Sequence, residues 1–332
     1  MSPINFLFGA VIMIGSLFAQ ETERAPLPKH SMHLGKMSVD LMGNFRLRGE
    51  SQQGFNTKRY ATEDENFLLS RLRLDGDVRF SGMVRAHVQL QDSRAAGVSF
   101  SDDDFSSNNP FRDPLDINQA FVEICLHPTV KLSVGRQPIS FRDRRVFGPG
   151  NWGNTGRYVW DAAILRFDNR SIDSRWIIGR TIYHNPHVWP NQAAEQPTAA
   201  AVYTTVKRLP LQLDLFYVYK NGWITSGDAR VGDLRSHSLG FWFKKEWGAW
   251  NAGATVVGQF GRRADDDIRA LGSALSVARK LDADGRCLIG AQFIRGSGDK
   301  GMHDGVFNTF DGVFGGADSD LYGWMNLFFW KN

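Results

Sequence analysis

The stretch Leu68–Phe80, "LLSRLRLDGDVRF", alternates apolar and charged side chains with a period of two residues. Leu72 and Leu74 fall on one face, and Arg71, Arg73 and Asp75 fall on the other. A period of two belongs to the β-strand, because successive side chains of a strand point to opposite faces. The stretch therefore predicts a strand with one apolar face and one strongly charged face.

The same alternation recurs along the chain, and about 14 strands are predicted up to residue 330. The next of them, "MVRAHVQLQDS", places Val84 and Val88 opposite Arg85 and His87. Connectors after even-numbered strands are short, such as "HPT", whereas most of those after odd-numbered strands are long and rich in Gly, Asp and Asn. Short turns at one end and long loops at the other are typical of an outer-membrane barrel. We therefore predict an all-β fold, an antiparallel up-and-down transmembrane β-barrel.

The N-terminus carries an apolar run over residues 4–19, "INFLFGAVIMIGSLFA". This run is too short for a comfortable membrane-spanning helix, which needs about 20 apolar residues. It fits a secretory signal peptide over residues 1–19, although no Lys or Arg precedes it. A polar linker over residues 20–36 and a barrel domain over residues 37–332 are predicted to follow.

Aromatic residues and charges are both distributed as a barrel wall requires. The ten Trp and 24 Phe suit the aromatic girdles at the two membrane interfaces. The tryptophans predicted near strand ends are Trp176, Trp223, Trp242, Trp247, Trp250 and Trp330. The net charge of +4 is spread over alternating strand faces and is not gathered in one patch, which argues against nucleic-acid binding.

No convincing catalytic, metal or cofactor pattern is present in the sequence. Glycine-rich phosphate loops, zinc-type histidine spacing and nucleophile elbows are all missing. Asp92, Asp143 and Asp161 are the candidates for a carboxylate pair at the outer rim, and nothing in their spacing marks them as paired. Cys125 and Cys287 fit small apolar strand residues, and a disulfide between them stays open.

Arginines supply the strongest functional signal. Arg71, Arg73, Arg85 and Arg136 fall on the face that is not apolar, and an arginine facing lipid at mid-membrane costs roughly 2–4 kcal/mol. Further arginines lie in the loop of "GRQPISFRDRRVFGPGNWGNTGR", residues 135–157, which we interpret as an outer constriction. Guanidinium groups in a narrow polar pore attract anions and bind carboxylates with two hydrogen bonds. The predicted pore-lining residues are Arg71, Arg73, Arg85, Arg136, Arg144, Arg145, Arg157 and Asp161.

A second interpretation of the same arginines is purely structural. They could pair with acidic side chains and hold together a filled barrel without any transport role. The acidic candidates are Asp75, Asp77, Glu123 and Asp161.

Four motifs, in this order, resemble the alginate-export family of outer-membrane β-barrels over residues 37–330. They are "QLQDSR" (89–94), "DINQAFVEI" (116–124), "VGRQPISFRDRRVFGPGNWGNTGR" (134–157) and "SGDKGMHDGVFNTFDGVF" (297–314). The resemblance implies an 18-stranded barrel that passes the anionic polysaccharide alginate through an arginine-lined pore. Family barrels continue for several strands beyond the position of Asn332, so we expect either a truncated copy or a 14-stranded relative.

The expected function is passive passage of anionic saccharides across the outer membrane of a Gram-negative-type bacterium. Outer-membrane lipid and periplasmic export partners are the expected surroundings, and no cofactor is expected. Three alternatives stay open: a general anion or oligosaccharide porin, a barrel enzyme acting at the rim, and a plugged structural barrel.

Overall fold

The computed structural model describes residues 29–52, 65–99, 101–105, 111–148, 154–155, 159–195, 197–224, 232–285, 287–299, 301 and 304–315. Regular structure in these ranges consists of sixteen β-strands and one 3-10 turn at Asp102–Asp104. The strands are β1 Lys29–Leu34, β2 Met37–Gln52, β3 Glu65–Phe80, β4 Val84–Ala96, β5 Asp113–His127, β6 Val130–Pro138, β7 Val159–Asp168, β8 Ile172–Tyr183, β9 Gln192–Ala193, β10 Thr198–Val206, β11 Gln212–Ile224, β12 Gly232–Trp247, β13 Trp250–Arg263, β14 Asp266–Lys280, β15 Leu288–Gly296 and β16 Val306–Phe307. Among the described residues, no helix has the length and apolar character needed to cross a membrane.

The all-β class is confirmed, and each predicted strand within the described ranges coincides with an observed one. The predicted signal peptide and the predicted last strand, residues 321–330, lie outside the described residues. One difference concerns the predicted linker, because β1 lies inside it and pairs with β2 from Lys29↔Met42 to Leu34↔Met37. Gly35, with φ of 62°, supplies the left-handed backbone of the tight turn that joins the two strands.

The chain divides into two compact units. Among the described residues, the N-terminal unit comprises residues 29–168 and 175–200, and the C-terminal unit comprises residues 169–174 and 201–315. Strands β8 and β10 contribute residues to both units.

In the N-terminal unit, strands β1 to β7 pair with their chain neighbours in antiparallel fashion. The β2–β3 hairpin is regular along its whole length, from Met37↔Phe80 to Gln52↔Glu65. The β4–β5 pair contains register shifts near Leu90 and near Ser93. Beyond the shifts, β5 extends back to Asp113, so it is longer than the strand predicted from "AFVEICLH".

The burial pattern of β3 is the reverse of that in a water-soluble sheet. Arg71 and Asp77 are only 5% and 2% exposed, whereas Leu72 and Leu74 are 39% and 50% exposed. Apolar side chains therefore cover the outside of the sheet, and charged side chains occupy its inner face. Such an arrangement suits a wall between lipid and a polar interior.

In the C-terminal unit, strands β11 to β15 form a second antiparallel series in chain order. The turn between β13 and β14 is shorter than predicted, because both strands extend through most of "GRRADDD" and leave Ala264 and Asp265 as the turn. The short strand β16 pairs in parallel with the start of β14, at Asp267↔Val306 and Ile268↔Phe307.

Tryptophans at the membrane interfaces are expected to be exposed on the outer face, and one of the predicted residues is instead buried. Trp176, Trp223, Trp247 and Trp250 are exposed, as girdle residues must be, whereas Trp242 is buried. Trp242 shares the inner face of β12 with Ser236 and Ser238 because it has the same parity in the strand. Trp330 lies outside the described residues.

Candidate functional site

The inner face of the β2–β3 hairpin carries a cluster of four arginines, here called the β2–β3 arginine cluster. It consists of Arg46, Arg48, Arg71 and Arg73. Arg46 and Arg71 are direct cross-strand partners, so their side chains stand side by side on one face. The alternate residues of β2, Phe45 and Leu47, are exposed on the outer face. Alternation thus forces four cations into one small area of the inner face.

Members of this cluster contact both neutral and acidic side chains. Arg73 Nε donates to Gln91 Oε1 at 2.6 Å, and an Arg46 guanidinium nitrogen donates to Asn154 Oδ1 at 3.5 Å. Arg48 forms an ion pair with Glu50 at 2.5 Å. Amide oxygens accept hydrogen bonds from a guanidinium group and fix its orientation, and Glu50 adds a carboxylate beside Arg48.

Toward the other end of the hairpin, the inner face becomes acidic and well compensated. Asp77 binds Arg85 Nε at 2.6 Å and Arg79 at 2.8 Å, and Arg79 also binds Asp40 at 2.9 Å. His87 Nδ1 lies 3.3 Å from the same Asp77 carboxylate. Arg85 is therefore engaged by a carboxylate.

Part of the β6–β7 loop packs on the inner face of β3 and β4. Asn154 is fully buried, and its Nδ2 lies 3.2 Å from Ser70 O and 3.1 Å from Arg94 O. Ser93 Oγ donates to Asn154 O at 2.9 Å, and Gln91 Nε2 donates to Thr155 O. The "NT" of the glycine-rich loop is thereby held beside the β2–β3 arginine cluster.

Arg136 serves mainly as a structural tie in the same unit. Its Nε and one terminal nitrogen bind the two oxygens of Asp161 at 3.0 and 3.2 Å. The other terminal nitrogen donates to Ile117 O at 3.1 Å, and the terminal nitrogen that binds Asp161 also donates to Asn191 O at 2.6 Å. With its side chain 11% exposed, Arg136 joins β5, β6, β7 and the loop after β8.

The predicted pore-lining arginines of the β6–β7 loop differ in their environments. Arg145 is buried, and its Nε lies 3.2 Å from Asp143 Oδ2. Arg144 lies in a turn, where its backbone N–H donates to Phe141 O at 2.8 Å. Arg157 lies outside the described residues.

Two aspartates, one histidine and one asparagine form a buried group beside Arg136. Asp113, Asp116 and His184 have ligand atoms within 4.8 Å of one another, which is compatible with a metal ion. The Nδ2 of Asn191 lies 2.7 Å from Asp113 Oδ2, 2.8 Å from Asp116 Oδ2 and 3.3 Å from His184 Nδ1. An amide nitrogen therefore already occupies the space between the three groups. Asn191 acts as a clasp that fixes the loop after β8 to β5.

In the C-terminal unit, the segment 304–315 folds back over the inner face and is fixed by Lys220. Lys220 Nζ binds Asp311 Oδ2 at 2.9 Å, donates to Val313 O and lies 4.4 Å above the ring of Phe314. We call this set of contacts the Lys220 latch. Gln259 Nε2 donates to Asp311 Oδ1 at 2.5 Å, and Gln259 Oε1 accepts from the Asp311 backbone N–H at 3.1 Å.

Packing reinforces the Lys220 latch. The buried ring of Phe310 lies over Gly272, where a Cβ would approach ring atoms to 2.5 Å. Burial opposes ionisation of Asp311, but the Lys220 ammonium and the hydrogen bonds from Lys220, Gln259 and Val313 N–H together hold its pKa below the usual range. The motif "NTFDGVF" is thus the part of the chain that attaches this segment to the inner face.

The structure does not assemble the carboxylates considered for catalysis. Asp92 pairs with Arg94 at 2.8 Å, Asp143 with Arg145 and Asp161 with Arg136. Each of the three is therefore engaged with an arginine of its own. Cys125 and Cys287 are free thiols.

Two arginines were missed by the sequence prediction. Arg46 and Arg48 belong to the same cluster as Arg71 and Arg73, and the alternation in "NFRLRG" has the same period of two as β3. The signal was therefore present, and applying the lipid-cost argument to β2 would have found both residues.

The sequence matches the model of a protein family described as Alginate export over residues 37–330. The chain belongs to the alginate-export family. It is accordingly an outer-membrane β-barrel channel of a bacterium. No protein with a curated description matches the sequence.

A comparison with solved structures finds porins similar to the alginate-export chain. OccK3 (OpdO) of Pseudomonas aeruginosa has 12% identity and a TM-score of 0.43, with 82% of this chain and 81% of that chain covered. A BenF-like porin from Pseudomonas fluorescens has 11% identity and a TM-score of 0.43, with coverages of 83% and 86%. OmpF of Salmonella typhi, in complex with daunomycin, has 8% identity and a TM-score of 0.37, with coverages of 80% and 100%.

Proposed function

We propose that this channel passes anionic saccharides and that the β2–β3 arginine cluster lines the path. The observation that carries the proposal is the placement of Arg46, Arg48, Arg71 and Arg73 side by side on the inner face. Arg46 and Arg73 each donate a hydrogen bond to a side-chain amide oxygen, which positions their guanidinium groups on this face. The family description, alginate export, names an anionic polysaccharide and agrees with this charge.

The chemistry of the cluster fits a carboxylated sugar. A guanidinium group binds a carboxylate with two parallel hydrogen bonds, and several neighbouring guanidinium groups offer successive sites to a polymer. Conduction requires sites that attract the solute and release it again, and several neighbouring guanidinium groups can provide such sites in succession. Arg85 and Arg136, in contrast, are engaged by carboxylates and are proposed to shape the wall.

Reversing two charges of the cluster is expected to change ion selectivity. Planar bilayers containing the purified chain should show anion preference under a salt gradient, and Arg71→Glu/Arg73→Glu should lower the anion-over-cation permeability ratio by about tenfold. Arg94→Gln, which removes one positive charge from the outward face of β4, is the matched control and should leave the ratio unchanged. Cation preference in the unmodified channel, or an unchanged ratio in the double variant, would contradict the proposal.

A second measurement separates saccharide passage from general anion passage. Oligouronates added to the bilayer chamber should transiently block the current, whereas neutral oligosaccharides of the same length should not. The milder variant Arg73→Gln should shorten the blocks, because one bidentate site is lost. Identical currents with both sugars would favour a general anion porin, and no conductance at all would favour a plugged barrel.

A further inference from the structure

Residues 225–231 and the segment after Gly296 leave β11 to β15 at the same end of these strands. At this end, the outward-facing side chains of β11 to β14 form successive rows across the four strands. The outermost layer, here called the rim row, is aligned by strand register and consists of Asn221, Arg235, Arg262 and Asp267. The next layer, here called the aromatic row, consists of Tyr219, His237, Phe260 and Arg269. Below it the outward residues are apolar, for example Leu239 and Leu271.

The aromatic row has the chemistry of a membrane interface. His237 stacks on Phe260 with ring centroids 5.0 Å apart, lies 4.9 Å from the Tyr219 ring and is hydrogen-bonded through Nδ1 to Tyr217 Oη at 2.7 Å. The opposite interface is marked by Trp247, about 33 Å farther along β12 at 3.3 Å per residue. For a strand tilted by about 45°, this separation matches an apolar band about 25 Å tall. The rim row therefore lies at the level of lipid headgroups.

Three exposed arginines lie in the rim row and the aromatic row, and nearby carboxylates only partly neutralise their charges. The side chains of Arg235, Arg262 and Arg269 are 65%, 71% and 69% exposed. Their contacts to Asp233 and Asp267 are 3.7, 3.9 and 3.5 Å long, so three cations share two loosely held carboxylates. Exposed guanidinium groups bind phosphate oxygens with paired hydrogen bonds.

An apolar groove adjoins Arg269 on the same outward face. It is shallow and open, with a volume of about 460 Å³, and its lining residues are Leu239, Gly258, Gln259, Phe260, Arg269, Ala270, Leu271 and Ser297. Gly258 borders open space, because a Cβ at this position would meet no atom closer than Leu239 O at 4.0 Å. The face thus combines a cationic edge at headgroup depth with an apolar slot beneath it.

We propose that this face binds a phosphorylated glycolipid of the outer leaflet, with its phosphates on Arg235, Arg262 and Arg269 and one acyl chain in the groove over Gly258. Residues 225–231 and the segment after Gly296 leave this end of the strands, and in outer-membrane barrels the longer connectors lie on the extracellular side. The outer leaflet is therefore the leaflet in contact with these arginines. A phosphorylated glycolipid supplies both the anionic groups and the acyl chains that the two parts of the site require.

Binding of diphosphorylated lipid A to the purified full chain in detergent tests the proposal. Native mass spectrometry should show that Arg262→Gln/Arg269→Gln lowers the affinity by about tenfold, since each basic residue near the lipid surface contributes separately. Arg279→Gln is the control. Arg279 lies on the outward face of β14, as Arg269 does, but it lies over the Trp250 ring at the opposite interface. The control variant should bind lipid A as the unmodified chain does.

Two further measurements distinguish the contribution of the phosphate contacts to lipid affinity from the contribution of the groove. Removing both phosphates from lipid A should reduce its affinity for the unmodified chain as much as the double variant does. Gly258→Val fills the groove without changing charge and favours the strand, so it should weaken binding severalfold with unchanged circular dichroism. The proposal is overturned if dephosphorylated lipid A or phosphatidylglycerol binds as tightly as lipid A, or if Arg279→Gln loses as much affinity as the double variant. Because the lipid comparison uses the unmodified chain, it decides the question even if a variant fails to fold.

Discussion

Arg136→Leu is expected to lower the free energy of unfolding by about 3 kcal/mol, the lower end of the range for breaking a buried ion pair. The substitution leaves both oxygens of Asp161 and the carbonyls of Ile117 and Asn191 without their guanidinium donors. Asp161 is partly exposed, so water recovers some of the loss, which is why the lower end applies. Urea unfolding of the chain in lipid vesicles, followed by tryptophan fluorescence, measures the change.

Two matched variants show whether the effect depends on the geometry of Arg136. Arg166→Leu removes another arginine–aspartate pair, that of Arg166 and Asp168 at 2.9 Å, from a more exposed place and should cost less than about 1 kcal/mol. Arg136→Lys keeps the charge but not the planar fork and should give an intermediate value. A loss below 1 kcal/mol for Arg136→Leu would show that the tie does not stabilise the barrel.

Lys220→Met is expected to release the segment 304–315, with the open population increasing about thirtyfold. The variant removes the ammonium that binds Asp311, Val313 O and the face of Phe314, and such charged contacts are worth about 2 kcal/mol together. Hydrogen exchange of the backbone amides of residues 304–315 measures the change, since exchange follows the open population. The control Lys244→Met removes a lysine that pairs with Glu246 near the opposite end of β12 and should leave these amides protected.

The same latch predicts a defined response to acid. The pKa of Asp311 is lower in the folded chain than in the unfolded chain, so its contribution is fully present above the ordinary aspartate range. The contribution is lost only as the pH falls through the folded pKa, below that range. Protection of the segment should therefore stay constant from neutral pH to about pH 5 and decrease in stronger acid. Asp311→Asn should remove this pH dependence. If protection of the segment already decreases near pH 6, a group other than Asp311 is responsible.

The strands were predictable because local alternation determines which face each side chain occupies. In β3, Leu72 and Leu74 could be assigned to lipid and Arg71 and Arg73 to the interior from the sequence alone, since lipid penalises a charge wherever the strand lies. The alternation in β2 carries the same information for Arg46 and Arg48. Strand existence and facing therefore follow from a rule that needs no tertiary contact.

The arrangement inside the wall could not be predicted in this way. Asn154 reaches Ser70 across 84 positions of sequence, and Asn191 reaches Asp116 across 75 positions. A neutral amide in a loop has no periodicity that marks its partner, so these contacts are decided by how loops pack. For the same reason the sequence could not separate Arg136, which is engaged by a carboxylate and two carbonyls, from Arg73, which binds an amide.

The regular β2–β3 hairpin has a consequence for how the chain enters the membrane. If its sixteen-residue pairing slipped by one position, the side chains of Arg71 and Arg73 would turn from the interior to the acyl chains. Two lipid-facing arginines would cost roughly 4–8 kcal/mol, comparable to the stability of a whole domain. The bilayer thus disfavours a misregistered hairpin, because the shifted pairing would place both guanidinium groups in lipid.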